Sequence, residues 1–367
     1  MKKLTSILLF ILGWLGHAVA DEIGLGNCSG LFPGNDLSLA PTRIGSLSSE
    51  PAMGNFQLCY RTGTTPFFAL EYNPGRLTAD WVAYKIENSF GETMCGSRPR
   101  THMRCYFRSE DVNDCIETGE ARNRWPSDPF HTDVTLTEVT REFLRTNPFR
   151  NTRHDRGHLA PNNAFSWHMC GAYKSFTMAN MAPQLGIQVN RSVWQRLEQA
   201  ELFWGVEHGP IHVVTGPTYY PFPAHIFSSA DLNRSLIYPV GKVINLSQGT
   251  ETRNDILLPT GFFKVIYQSE PNPKAIGFLI PHTEQRALDF RDFAVEISAI
   301  EQMTGLYFSI PEALKRSLVT GPWLGDLPPR NWSIRGACEN DNFQAQHWHA
   351  EDSRDDRIAA CLAPESP

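Results

Sequence analysis

Arg150-Asn-Thr-Arg-His-Asp-Arg-Gly-His-Leu-Ala-Pro161 places three arginines (Arg150, Arg153, Arg156), two histidines (His154, His158) and Asp155 within nine residues. The stretch is too polar for a core strand, and Pro161 is unfavourable for a long helix through it. Arg141 and Arg145 extend the basic character upstream, and Ser97 to Arg108 adds Arg98, Arg100, Arg104 and Arg108 without an acid. Together these arginines can make a local positive surface. Taken alone, the Ser97 to Arg108 run reads more readily as an ordinary solvated face.

Asn190 follows 32 residues after His158, at the start of an expected helix over Val189 to Phe203. Val193, Leu197, Ala200 and Phe203 recur there at helical spacing, while Asn190, Trp194 and Glu198 share another face at i, i+4 and i+8. A hard cation such as Mg²⁺ keeps most of its waters and needs only one or two protein oxygens. Asn190 could ligate it directly and Glu198 could hold its water shell. Spacing alone favours a helix N-cap for this Asn.

Outward from these segments, Trp81 to Ile86, Ile211 to Thr215, Leu236 to Val240, Phe262 to Tyr267 and Ala275 to Ile280 are β-prone runs bounded by Gly, Pro or Asn. Phe290 to Thr304 reads as a second helix. Residues 21–55 form an irregular lead-in pinned by Cys28, and residues 312–367 a C-terminal extension folded back by a disulfide. The main domain spans 56–311. Lys2 and Lys3, the apolar run Leu4 to Leu15 and Ala18-Val19-Ala20 predict a cleavable signal at residues 1–20. The run is short of the roughly 20 residues that span a bilayer, so no membrane association is expected after cleavage. The product would be secreted or periplasmic.

Net charge is −6, and −8 once the first twenty residues, with two Lys and no acid, are removed. With 41% hydrophobic and 11% aromatic residues, the composition excludes disordered, collagenous and coiled-coil proteins. An acidic chain must hold any nucleic acid through a local surface. Eight cysteines allow up to four disulfides in 105 pairings and include no C-x-x-C pair.

Asp155-Arg156-Gly157-His158 with Leu159-Ala160-Pro161 resembles the D-R-G-H signature of the DNA/RNA non-specific endonucleases, which include secreted bacterial nucleases and endonuclease G. Met178-Ala-Asn-Met-Ala-Pro-Gln184 resembles the S-N-x-x-P-Q block of that family. Asn190 to Glu198 is similar to its N-x-x-x-W-x-x-L-E helix, and Arg76-Leu-Thr-Ala-Asp-Trp-Val-Ala-Tyr84 to its R-x-x-x-x-W-V-A-Y strand. Val213 to Pro217 and Pro259 to Lys264 are similar to later strands. The resemblance runs from Phe67 to Leu306, about two thirds of the chain.

The resemblance implies an α+β fold: a central, mostly antiparallel sheet with flanking helices and a ββα-metal active-site motif. It implies His158 as general base, so that activity rises through about pH 6 to 8 from an unperturbed pKa near 6.5. Asn190 would ligate Mg²⁺, for which Mn²⁺ substitutes, and Glu198 would position water on the ion. Arg156 and Arg76 would contact the phosphate, with Arg153 and Arg150 as further nucleic-acid contacts. Asp155 and Asn180 would support the site. DNA and RNA would both be substrates, cut with little regard to sequence and with steep salt dependence. A homodimer is left open.

The chain departs from the pattern at Leu202, where some members carry an Arg, and Arg191 and Arg196 are expected on other helix faces. A glycan on the sequon Asn190-Arg191-Ser192 would block the metal ligand, which favours a bacterial exported protein. The rivals are a zinc metallopeptidase using His154 and His158, and a catalytically inactive nucleic-acid-binding homologue. Intact His158, Asn190 and Arg156 argue against the latter. His347-Trp348-His349 and a Cys170–His168 thiol pair are weaker candidates.

Overall fold

The computed structural model describes residues 22–44, 54–87, 128–133, 135–145, 147–150, 152–165, 167–223, 226–227, 243–244, 256–283, 289–316 and 322–328. Four of the apolar runs become strands, each two or three residues longer than its apolar stretch. In chain order the strands are β1 (Glu22–Ile23), β2 (Thr42–Arg43), β3 (Phe56–Thr62), β4 (Thr65–Asn73), β5 (Thr78–Ile86), β6 (His154–His158) and β7 (Met181–Leu185). There follow β8 (Ile211–Thr218), β9 (Val243–Ile244), β10 (Ile256–Leu257), β11 (Gly261–Gln268), β12 (Lys274–Pro281), β13 (Ala294–Val295) and β14 (Leu306–Tyr307). The signal, the Ser97 to Arg108 run, Leu236 to Val240 and the His347-Trp348-His349 segment lie outside the described residues, as do Cys338 and Cys361.

Eight strands form one sheet in the order β1-β3-β4-β5-β8-β11-β12-β13, with every pairing antiparallel. The α+β reading holds. Its central strands are covered: seven of the eight residues of β12 and eight of the nine of β5 are buried. The Gln195–His208 helix crosses this sheet, burying Leu197, Ala200 and Trp204. Trp204 stacks on Trp323 at 5.7 Å and donates from Nε1 to the Asp326 carbonyl at 2.8 Å. The described part of the tail therefore packs back onto this helix, and truncating such an indole costs about 3–5 kcal/mol.

Besides β1 and β2, the lead-in holds three short 3-10 turns over Gly26–Leu31, Pro33–Asn35 and Leu37–Leu39, and the Cys28–Cys59 disulfide ties it to β3. Phe290 to Thr304 is not one helix. A 3-10 turn at Phe290–Phe293, capped by Asp289, is followed by β13 and then by a helix over Ile297–Thr304. Pairing of Ala294 and Val295 with the edge of β12 captures the backbone that periodicity assigned to the helix. Phe293, Ile297 and Ile300 are all buried, so the apolar spacing was a true sign of burial.

Candidate active site

Within the polar Arg150 to Pro161 stretch, His154–His158 forms β6, whose partner among the described strands is β7, in the register His154↔Leu185 through His158↔Met181. β7 is buried throughout and carries the half-buried β6 on its edge. Three polar anchors fix the ribbon. Thr78 Oγ1 donates to the Met181 carbonyl at 2.9 Å, joining the ribbon to β5. Asn180, fully buried, accepts from Ala160 N at 2.9 Å and donates to the Ala160 and Ser175 carbonyls at 2.9 and 2.8 Å. Leu185 N donates at 2.8 Å to His282 Nε2, so the opposite nitrogen, 2.9 Å from the Pro259 carbonyl, carries the proton. Burial pushes the His282 imidazole down to about 3, keeping this bridge neutral. Gly157 is required by close approach: a Cβ there would lie 2.2 Å from the buried Gln184 side chain.

Side chains alternate along a strand, so Arg156 and His158 share one face of β6 and Asp155 points to the other. On the first face the Arg156 guanidinium lies 3.5 Å from the Phe130 ring centroid and donates to Asp128 at 3.1 Å. The His158 ring contacts Phe130 and meets Phe176 edge-on at 4.9 Å. On the opposite face Asp155 Oδ2 accepts from Asn190 Nδ2 at 2.9 Å, and Arg191 donates to both Asp155 oxygens at 2.8 Å. Burial raises the Asp155 pKa, but the hydrogen bonds from Arg191 and Asn190 win and leave it below the ordinary carboxylate value.

The helix reaches this cluster differently from the expectation. It begins at Gly186, and Gly186–Trp194 has π-helical hydrogen bonding before α geometry resumes. Asn190 is thus inside a widened turn and caps nothing. Local π turns are frequent at functional sites. Arg191, expected on an unrelated face, is instead the bidentate partner of Asp155. Leu202 is a buried core residue. Glu198 is half-buried farther along, and burial pushes its carboxyl up to about 8. Lys264 opposes that shift, Glu201 adds to it, and the Trp194 indole opposes it without reaching hydrogen-bond geometry.

Arg76 sits in the turn before β5, two residues from the Thr78 anchor. Its Nη1 donates to Asp80 at 2.8 Å and its guanidinium lies 4.5 Å from the Tyr219 ring centroid. Arg150 and Arg153 are exposed. The Arg153 carbonyl accepts from Gly186 N at 3.0 Å, closing the ribbon onto the helix. Sequence reasoning missed Arg191, the aromatic pair Phe130 and Phe176, and His282, none of which stands in a recognisable spacing.

The zinc-peptidase arrangement fails here. On a strand, His154 and His158 are roughly 13 Å apart along the chain at about 3.3 Å per residue. His154 packs edge-on against His282. Among the described residues no three His, Cys, Asp or Glu side chains gather as metal ligands. Cys170 is disulfide-bonded, and His168 accepts from its backbone N–H, which disposes of the thiol pair.

The family model for DNA/RNA non-specific endonucleases matches residues 59–316. A nuclease of Syncephalastrum racemosum is 29% identical over 53% of this chain and 58% of its own length. Mitochondrial endonuclease G of Bos taurus is 28% identical over 46% of this chain and 52% of its own. A nuclease of Serratia marcescens is 26% identical over 71% of this chain and 79% of its own. The chain thus spans little more than half the length of the first two relatives. No helix among the described residues is long and apolar enough to cross a membrane.

Proposed function

The chain belongs to the DNA/RNA non-specific endonuclease family, and on that premise we propose that it is an exported, Mg²⁺-dependent endonuclease hydrolysing phosphodiester bonds of DNA and RNA. One observation carries the reading. With Nδ2 committed to Asp155, the Asn190 side chain offers only its carbonyl Oδ1, a hard oxygen suited to Mg²⁺ or Mn²⁺. The donor set fits a mostly hydrated ion held by one amide oxygen and does not fit zinc, which takes several nitrogen or sulfur ligands.

When bound, the ion would offset negative charge on the reacting phosphate. Asn190 would hold it directly and Glu198 across water, and a nearby cation favours the ionised Glu198 carboxylate. His158 would take the proton of the attacking water while neutral, its ring held between Phe130 and Phe176. Arg156, steadied by Phe130 and Asp128, and Arg76, steadied by Tyr219 and Asp80, would use their remaining donors on phosphate oxygens. Asp155 fixes which end of Asn190 is presented, and Asn180 holds the chain leaving His158. Arg150 and Arg153 would extend the phosphate contacts across the exposed end of the ribbon.

The test is purified protein against plasmid DNA and bulk RNA, with Mg²⁺ or EDTA, and with His158→Ala alongside. Degradation of both polymers, abolished by EDTA and by the substitution, is expected. Wild-type protein that leaves both intact in Mg²⁺ and in Mn²⁺ overturns the reading.

A further inference from the structure

Beside Arg76 the sheet end opens into a cavity of about 530 Å³, within the range that holds a small organic ligand. Its walls include Arg43, Asn55, Arg76, Asp80, Tyr219 and Tyr220. A bulge in the β4–β5 ladder leaves Asp80 outside the regular pairing, and such bulges re-aim side chains. The Asp80 carboxylate receives Arg43 and Asn55 at 2.9 Å each and Arg76 at 2.8 Å. Asn55 Nδ2 and Arg43 also hold the buried Glu71. The carboxylates are thereby matched by the two guanidiniums, so the cavity is polar without a strong net charge. Such a lining suits a neutral, hydrogen-bonding ring better than a free anion.

Two aromatic groups complete it. The Tyr219 ring carries Arg76 on its face, and its hydroxyl is buried with no hydrogen-bond partner. Tyr220 is 63% exposed at the rim, one of few large hydrophobic side chains so displayed among the described residues. An exposed ring beside a guanidinium and a polar cavity is the arrangement that stacks a nucleobase while its phosphate is held. We propose that this cavity is a nucleoside subsite, which takes the base and sugar next to the phosphate on Arg76, with Tyr220 as its stacking platform. The inference rests on the nuclease reading for the placement of that phosphate. It makes Tyr220 a determinant of substrate affinity that reads the presence of a base and not its identity.

The experiment compares wild type, Tyr220→Ala and Tyr220→Phe on three substrates: a short single-stranded oligonucleotide, the same oligonucleotide with an abasic residue beside the cleaved bond, and a base-free diester made of abasic residues throughout. For Tyr220→Ala the ratio of kcat/KM for the normal oligonucleotide to that for the base-free diester should fall about tenfold, through KM. The abasic oligonucleotide should lose about as much with wild type, and the variant should add little to that loss. Tyr220→Phe should restore the ratio. Equal losses on normal and abasic substrates, or an unchanged ratio, would overturn the subsite.

Equilibrium binding of the fluorescein-labelled oligonucleotides in EDTA reads the same contrast without turnover. If the protein cuts none of the three substrates, the nuclease reading falls. The subsite then still stands or falls on whether Tyr220→Ala removes the preference for normal over abasic strand.

Discussion

One helix meets two ionic clusters that could hardly be more different in setting. At its π-helical start, Asp155, Arg191 and Asn190 meet at the solvent edge, with the Arg191 side chain 63% exposed. Under its middle, Glu201 and Lys264 pair at 2.6 Å with both side chains fully buried, and Tyr84 bridges them at 2.6 and 2.9 Å. Charges in water are cheap to move and to re-pair, and exposed pairs contribute about 0–1 kcal/mol. Removed from water, each depends on the other, and losing one partner strands an uncompensated charge. The open cluster can therefore serve chemistry, because its cost of rearrangement is low. The buried one holds the helix to β5 and β11 and sets the charge felt by Glu198.

The largest expected effect lies on β6, across the strand from the open cluster, and concerns activity alone. Replacing a general base typically lowers turnover by about 10² to 10⁴, so His158→Ala should do so with the far-UV circular dichroism spectrum retained. A loss of folded structure on the same scale as the loss of activity would erase the division between the two regions. On the buried side the effect should be on stability. Lys264→Met should cost about 3–5 kcal/mol in urea unfolding. Because the penalty comes from the stranded Glu201, the double variant Lys264→Met with Glu201→Leu should recover most of it. If the double variant is no better than the single one, the buried pair is not acting as a compensated charge.

Within the open cluster Asp155 is ionic and also tied to the proposed ligand Asn190. Partners behind a metal ligand are worth roughly 10- to 100-fold in metal affinity. Asp155→Asn should thus raise the Mg²⁺ concentration needed for half-maximal activity about tenfold or more, with the unfolding midpoint moved little. The reverse outcome, normal Mg²⁺ dependence with marked destabilisation, would place Asp155 with the buried cluster.

The two regions also differed in how readable they were. The sheet announced itself, since Phe262 to Tyr267 and Ala275 to Ile280 are apolar and β-branched enough to be strands in any setting. β6 did not, because His154 to His158 has no apolar alternation. It is a strand only because the buried Met181-Ala-Pro-Gln-Leu185 offers it hydrogen-bond partners, a tertiary fact absent from its own composition. Asn190 and Asp155 were legible as residues of interest by their resemblance to a family pattern. Their hydrogen bond, and the role of Arg191 in it, depended on a π turn that shifts the helix phase, which spacing at 3.6 residues per turn cannot show. Glu201 sits at a fully buried helix position where periodicity calls for an apolar residue, and only the positions of Tyr84 on β5 and Lys264 on β11, the two strands flanking β8, explain it.

The smallest effect tests a joint between the regions, the neutral bridge His282 from Pro259 to Leu185. Burial lowers its pKa to about 3, whereas unfolded histidine titrates near 6.5. The unfolded state then binds one more proton than the native state between those values, so stability falls as pH drops below about 6.5. One such group contributes about 1.4 kcal/mol per pH unit. His282→Gln removes the titration without removing every hydrogen-bonding atom. The wild-type advantage over this variant, from urea unfolding at pH 7 and pH 5, should therefore shrink by roughly 2 kcal/mol, allowing for the onset near pH 6.5. An advantage that stays constant across that range would mean that His282 holds its proton in the folded protein. Nε2 could then no longer accept from Leu185, and the ribbon would need another anchor at that end.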